Sequence, residues 1–359
     1  MFDVMNTRTL EAMRTQGISG EENRMREVFR SVFASVLMIS LFNPGVTQDA
    51  GKIKIETELV NVDVVVKDHA GKRINDLKKE DFEIYEDGVL QEIASFKPAP
   101  HPLRLVLLFD LSASMGAMSP AIKDEAMKLV GSLDQLDEMM VASFGMDVRW
   151  HTDWGGKALT TNAILDLKPA SVPYNLPERP FPLPPGRRGG LADVNTNLYG
   201  AMHSLFERFG GRSGNEVALL FSDGVDRIDR NLAKQRPVKD PKQAIQEAQE
   251  SWTQVYAACF KTERQKAWNG IMIGRDGYGS NCKFLSDIAG ATGGQSFEFE
   301  SQGDLAQVLK KTLDELRSQY SLAYYPSSQG NKVGFHKIKV VVKKSDLIAR
   351  AREGYLISK

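Results

Sequence analysis

The stretch that most constrains how this chain folds is residues 103–116, LRLVLLFDLSASMG, an apolar run that ends abruptly in Asp110 and then offers hydroxyls at Ser112 and Ser114. A run of this kind predicts a buried strand. In an open α/β sheet the loop leaving the carboxyl end of such a strand faces the crevice where ligands bind. One carboxylate and two hydroxyls on a single loop are oxygen ligands that suit a hard cation such as Mg²⁺. The alternative is that Asp and Ser only form the turn and cap the next helix.

The pattern that follows places this strand in a larger unit. Helical patterns over 121–133, 157–167, 198–209, 241–251 and 303–319 alternate with strand-like runs at 139–144, 147–150 and 216–224, and the segments TQVYAACF, CKFLSDIAG and GQSFEFE extend the alternation. Strands alternating with helices predict a mostly parallel sheet covered on both faces. Before it, residues 52–67 alternate with Val60, Val62, Val64 and Val66 on one face, and Asp87-Gly88 separates two strand-like runs in 81–96, a hairpin signal. After it, 320–326, 336–344 and the final IARAREGYLI read as strands with no helices to pack on. The expected organisation is therefore an α/β domain over 103–319 inserted into a small antiparallel β module built from 50–100 and 320–359. Residues 97–102, with three prolines, form a linker, and 169–186 form a proline-rich surface loop.

Length and charge narrow the function. A chain of 359 residues fits roughly two domains. Its 46 Lys and Arg balance 46 Asp and Glu, without the basic surplus of a nucleic-acid binder. The five His are scattered, with no HExxH or His/Cys cluster to suggest zinc. Arg24, Arg26 and Arg30 precede the apolar run SVFASVLMISLF (31–42), which Asn43-Pro44-Gly45 ends. The run is short for a bilayer span and fits the apolar part of a signal peptide, so residues 1–49 are expected to be an export signal or an uncleaved anchor. Met25 is the better start, which makes 1–24 an extension. The expected location is periplasmic, cell-surface or secreted. In that setting Cys259 and Cys282 either join in one disulfide or remain two buried thiols.

Two further stretches bear on Asp110. DVNTNLYGAM (193–202) puts Thr196 just before an amphipathic helix, and ALLFSDG (218–224) is a second buried strand ending in an acid, Asp223. Parallel strands present their carboxyl ends on one edge, so Asp110, Ser112, Ser114, Thr196 and Asp223 are expected to converge there. With few charged ligands, a cation at that point stays electrophilic and open to an outside carboxylate.

This set resembles the metal-ion-dependent adhesion site, or MIDAS, of the von Willebrand factor A (VWA) domain family: Asp-x-Ser-x-Ser in DLSAS, a distant Thr at 196, and an Asp before Gly in FSDG. Ser222 stands where the family usually has Thr, and Asn195 where it often has Gly. The flanks are similar to those of acidobacterial VWFA-related proteins. The resemblance implies a doubly wound, Rossmann-like α/β domain and a divalent cation (Mg²⁺, with Mn²⁺ or Ca²⁺ as alternatives) held by Asp110, Ser112, Ser114 and Thr196, with Asp223 nearby or acting through water. It also implies a non-catalytic, adhesion-type role: capture of a protein partner's Asp or Glu carboxylate, with movement of the last helix (303–319). Met115, Met118 and Asn195 are the expected docking rim. No nucleic acid is expected, and a membrane only through an uncleaved N-terminal segment.

Two other readings share these residues. One is an envelope protein whose metal only stabilises the fold. The other is a Mg²⁺-dependent hydrolase, with Ser112 or Ser114 as nucleophile and His203 as base. A phosphoryl-accepting aspartate would need a second Asp where Ser112 stands, and no GxSxG, P-loop or GxGxxG is present. Arg187-Arg188 reads as a flexible basic loop, and Tyr320, Tyr324 and Tyr325 as sheet packing.

Overall fold

In the computed structural model, residues 59–116, 118–168, 196–209, 216–226, 240–261, 281–327 and 332–358 are described. The expected export segment, the proline-rich stretch, Arg187-Arg188 and Asn195 lie outside them. The chain from Thr57 to Lys359 forms one unit.

Three sheets carry it. Strands β1 (Val60–Asp68), β2 (Phe82–Glu86), β3 (Val89–Gln91) and β4 (Ile93–Lys97) precede the central run β5 (Arg104–Asp110), β6 (Glu138–Phe144), β7 (Val148–Trp150), β8 (Glu216–Ser222), β9 (Gln254–Phe260) and β10 (Ser296–Phe299). Strands β11 (Gln319–Tyr324), β12 (Gly334–Val342), β13 (Leu347–Arg350) and β14 (Gly354–Ile357) follow it. The described helices are α1 (Ser119–Ser132), α2 (Lys157–Asp166), α3 (Leu198–Phe209), α4 (Pro241–Glu250), α5 (Asn281–Ala291) and α6 (Gln302–Leu316).

The central sheet has the order β10-β9-β8-β5-β6-β7. Its neighbours pair in parallel except β6 and β7, which are antiparallel. Every residue of β8 and β9 is buried, as their continuous apolar sequences require of strands covered on both faces. Two cores sandwich the sheet. Leu105, Leu107 and Phe109 point to one, with Ile122 and Leu129 of α1, Ile164 of α2 and Leu305 and Leu309 of α6. Val106 and Leu108 point to the other, with Leu198 and Leu205 of α3, Ala244 of α4 and Phe284 and Leu285 of α5. Alternate residues of a single strand thus feed opposite cores. Chain order reverses between β5 and β8, since β6 and β7 lie to one side of β5 and β8, β9 and β10 to the other. The crevice at such a reversal is where open α/β sheets place their sites.

The chain's two flanks pair with each other. In one four-stranded antiparallel sheet, β1 lies between β13 and β11, and β11 also pairs β4. In another, β12 lies between β14 and β2, and β2 pairs β3. Val60, Val62, Val64 and Val66 share a core with Phe82, Ile84, Tyr320 and Tyr324. The turn between β2 and β3 takes Asp87 and Gly88 at φ 51° and 83°, the left-handed pair that a two-residue hairpin needs.

The last helix stops at Leu316, earlier than its amphipathic pattern suggests. Ser318 Oγ donates to the Glu315 carbonyl (2.8 Å), and the Arg317 side chain turns aside to bond Asp137. Gln319 already belongs to β11.

Candidate metal centre

The site is built where β5 and β8 end side by side. Phe109 pairs Phe221 in register, and their rings stack with centroids 4.9 Å apart, so Asp110 and Ser222 emerge at the same level. Asp110 Oδ1 accepts from the Ser112 amide (2.9 Å), and Oδ2 accepts from Ser222 Oγ (2.7 Å). Ser222 Oγ in turn accepts from the Gly224 amide (3.0 Å). The Asp110 carboxylate is thereby fixed in orientation by neutral donors alone. Ser112 Oγ lies 3.1 Å from Ser114 Oγ across a short 3₁₀ turn, Ala113–Met115. Asp110, Ser112, Thr196, Ser222 and Asp223 are buried, whereas Ser114 is exposed, which leaves the group open on one side.

Asp223 Oδ1 accepts from the Val225 amide (3.1 Å), an Asx turn that holds the carboxylate beside its own loop. Burial first, and the charge of Asp223 second, push the Asp110 carboxyl up to about 7, although hydrogen bonds from Ser112 and Ser222 pull the other way. Two buried carboxylates this close repel, and a cation between them would relieve both. Every ligand-capable atom in the group is oxygen, which fits a hard divalent ion.

Thr196 is held at the entrance to α3 by its neighbour. The Asn197 amide donates to the Gly145 carbonyl (2.8 Å) and its Nδ2 to the Met146 carbonyl (3.3 Å), which fastens the segment to the loop after β6, the strand whose Phe144 pairs Asp110. Asn197 Oδ1 accepts from the Gly200 amide (2.9 Å) and so caps α3. A Cβ at residue 200 would collide with the Asn197 side-chain amide, so the cap as built calls for glycine there. Asp226 Oδ1 accepts from the Tyr199 amide (3.2 Å) and ties the loop after β8 to the same helix end.

Met115 corrects one expectation. It is 1% exposed and packs in the core with Leu107 and Phe109, because the 3₁₀ turn rotates it inward, so it forms no docking rim. Met118 is half-buried against that same core. His203 Nδ1 is engaged by Glu247 Oε1 of α4 at 3.0 Å. Cys259 and Cys282 are joined in a disulfide between the end of β9, where Cys259 pairs Ser222, and the first turn of α5. Residues that the sequence did not single out for the site are Asn197 and Asp226; a capping Asn before a helical run was the signal for the first, and the contact of Asp226 with Tyr199 is carried by no local pattern.

No family model matches the chain, and no curated protein matches it. Among solved structures it is similar to proximal thread matrix protein 1 from the mussel byssus, at 17% identity over 60% of this chain and 48% of that one, with a TM-score of 0.40. The chain therefore spans about half the length of that protein, one structure of which has a zinc-occupied MIDAS motif. It is also similar to a von Willebrand factor type A protein from Catenulispora acidiphila (12% identity, 85% of this chain and 74% of that one, TM-score 0.40). A third similar structure is BatB from Bacteroides thetaiotaomicron (15%, 59% and 99%, TM-score 0.37). At identities and TM-scores this low, the functional reading has to come from the residues themselves. No helix among the described residues is long and apolar enough to cross a membrane.

Proposed function

We propose that the chain is an exported, non-catalytic binding protein of the VWA type, with flanks of the acidobacterial VWFA-related kind. Asp110, Ser112, Ser114 and Thr196 hold a divalent cation, with Asp223 close by or acting through water. The observation that carries this reading is the fixed, buried Asp110 carboxylate beside Asp223, in an all-oxygen group at the reversal of the sheet. Mg²⁺ suits it best, since that ion keeps several waters and needs few charged ligands.

The exposed side at Ser114 supports a role in recognition. A cation held largely by neutral hydroxyls keeps net positive charge, and a water facing solvent can be exchanged for a partner's Asp or Glu carboxylate. The hydrolase reading would need His203 to take a proton from Ser112 or Ser114, and the bonds at hand speak for the binding reading instead: His203 Nδ1 meets Glu247 Oε1 of α4, while Ser112 Oγ lies beside Ser114 Oγ.

Thermal unfolding of the unaltered chain and Asp110→Ala in EDTA, Mg²⁺, Mn²⁺ and Ca²⁺ tests the site. Asp110→Ala removes one of two repelling buried carboxylates, so it is expected to fold. A cation at about 100 times its Kd should stabilise the unaltered chain by about 2.7 kcal/mol and the variant hardly at all. Identical melting in every condition would sink the metal reading. Loss of an acidic-peptide ligand in Asp110→Ala, with the fold retained, would distinguish recognition from a purely structural metal.

A further inference from the structure

Far from Asp110 in sequence, the turn after β2 meets the start of β12. Glu86, Asp87 and His336 bring one ligating atom each within 4.8 Å of one another. His336 Nδ1 lies 2.9 Å from Asp87 Oδ2 and 3.5 Å from Glu86 Oε1. On the other side of the ring, Nε2 lies 2.6 Å from the Lys332 carbonyl oxygen. A carbonyl only accepts, so Nε2 carries a hydrogen. In the neutral imidazole that leaves a lone pair on Nδ1, aimed at two carboxylate oxygens. Either a proton or a metal ion must lie between Nδ1 and those oxygens.

Charge and hydrogen bonding distinguish the two. Glu86 is 3% exposed, and its Oε2 is buried without a hydrogen-bond partner. Burial and the Glu86 carboxylate raise the Tyr324 phenol, yet its Oη and Glu86 Oε2 do not meet in bonding geometry. Tyr355 Oη donates to Glu86 Oε1 (3.3 Å), and the Tyr355 ring stacks on His336. A proton on Nδ1 leaves the group with one net negative charge and an unbonded buried oxygen. A divalent ion at Nδ1 neutralises both carboxylates.

We propose that Glu86, Asp87 and His336 form a second divalent-metal site, one that Zn²⁺ fits, which clamps the β2–β3 turn to β12. One imidazole nitrogen with two carboxylates matches the ligand preference of zinc, and the free N–H bonded to a backbone carbonyl is the usual outer support of a ligating histidine. Asp87 Oδ1 accepts from the Lys337 amide (2.8 Å), which aims Oδ2 inward. The Asp87 side chain is 48% exposed, so an ion reaches the site from solvent and water completes its coordination. The site shares no residue with the Asp110 group and does not depend on it.

The test is titration of the full chain carrying Asp110→Ala with Zn²⁺ by calorimetry, and with Co²⁺ by visible absorption. The same titrations on the unaltered chain in excess Mg²⁺ serve as a second background. One Zn²⁺ per chain is expected, with a Co²⁺ band typical of nitrogen and oxygen ligands. His336→Gln should abolish both signals, and Asp87→Asn should weaken Zn²⁺ binding at least tenfold. Asn-Gly is as good a hairpin pair as Asp-Gly, so the second variant keeps the fold and stays decisive if the first does not. No Zn²⁺ uptake in either background, or unchanged affinity in Asp87→Asn, would overturn the proposal and leave His336 only a hydrogen-bond partner of Asp87. The Asp110 site is read separately, by its response to Mg²⁺.

Discussion

Asp110 is under electrostatic tension at the candidate centre, and its chemistry makes a prediction at its own scale. Its folded value of about 7 stands above the ordinary 3.8, so between those limits the metal-free folded protein binds a proton that the unfolded chain has released. Stability from this group is present below about pH 4 and is lost as pH rises towards about 7. In EDTA, urea unfolding should therefore show the unaltered chain weakening across that window relative to Asp110→Asn. Mg²⁺ should reverse the trend, because the ion needs the ionised carboxylate. Parallel pH profiles for the two proteins would refute this. Asp110, Ser112 and Asp223 were legible as candidates because a carboxylate that ends an apolar strand needs no partner to be noticed. The direction of Met115 was not legible, since a single 3₁₀ turn decides whether a side chain faces solvent or core.

Among the elements, α6 is held at its carboxyl end by a contact that no local pattern announces. The Asp137 side chain is 0% exposed, and it accepts from the Leu103 amide (2.8 Å), the Asp134 amide (2.7 Å) and Arg317 Nη1 (3.0 Å). Burial pushes this carboxyl up, but the Arg317 guanidinium and the two amides outweigh it and hold it below 3.8. Arg317→Met leaves that carboxylate buried without its cation and should cost about 3 kcal/mol at neutral pH. The lowered carboxyl contributes stability above its unfolded value and loses it as pH falls. The penalty should therefore shrink in acid, as urea unfolding of the two proteins would reveal. An unchanged midpoint in the variant would contradict the assignment. The amphipathic stripe of α6 was readable; its last turn was not, because Arg317 reaches a residue 180 positions away.

For the molecule as a whole, Glu315 joins the central sheet to the flanking strands. It is buried, and it accepts from Lys67 Nζ of β1 (2.8 Å), from Arg350 of β13 and from Tyr256 Oη of β9 (2.9 Å). Gln319 Nε2 extends the network to Gln254 Oε1 and Tyr256 Oη. Linkage of this kind makes the unit unfold as one. Glu315→Ala should cost about 3 kcal/mol and, in calorimetry, separate one heat-absorption peak into two. A single peak at the original temperature would show that the two parts are coupled elsewhere.

Local pattern by itself determined the alternating elements, the strand that ends in Asp110, the Asp87-Gly88 turn and the oxygen-rich character of the candidate centre. Those follow from side-chain period, turn chemistry and ligand type, which neighbouring residues carry together. Tertiary structure alone decided that Ser222 bonds Asp110, that Asn197 and Asp226 hold the entrance to α3, and that His336 meets Asp87 across 249 positions. Each of those depends on strand order and register, and these are fixed only when distant apolar faces are buried against one another.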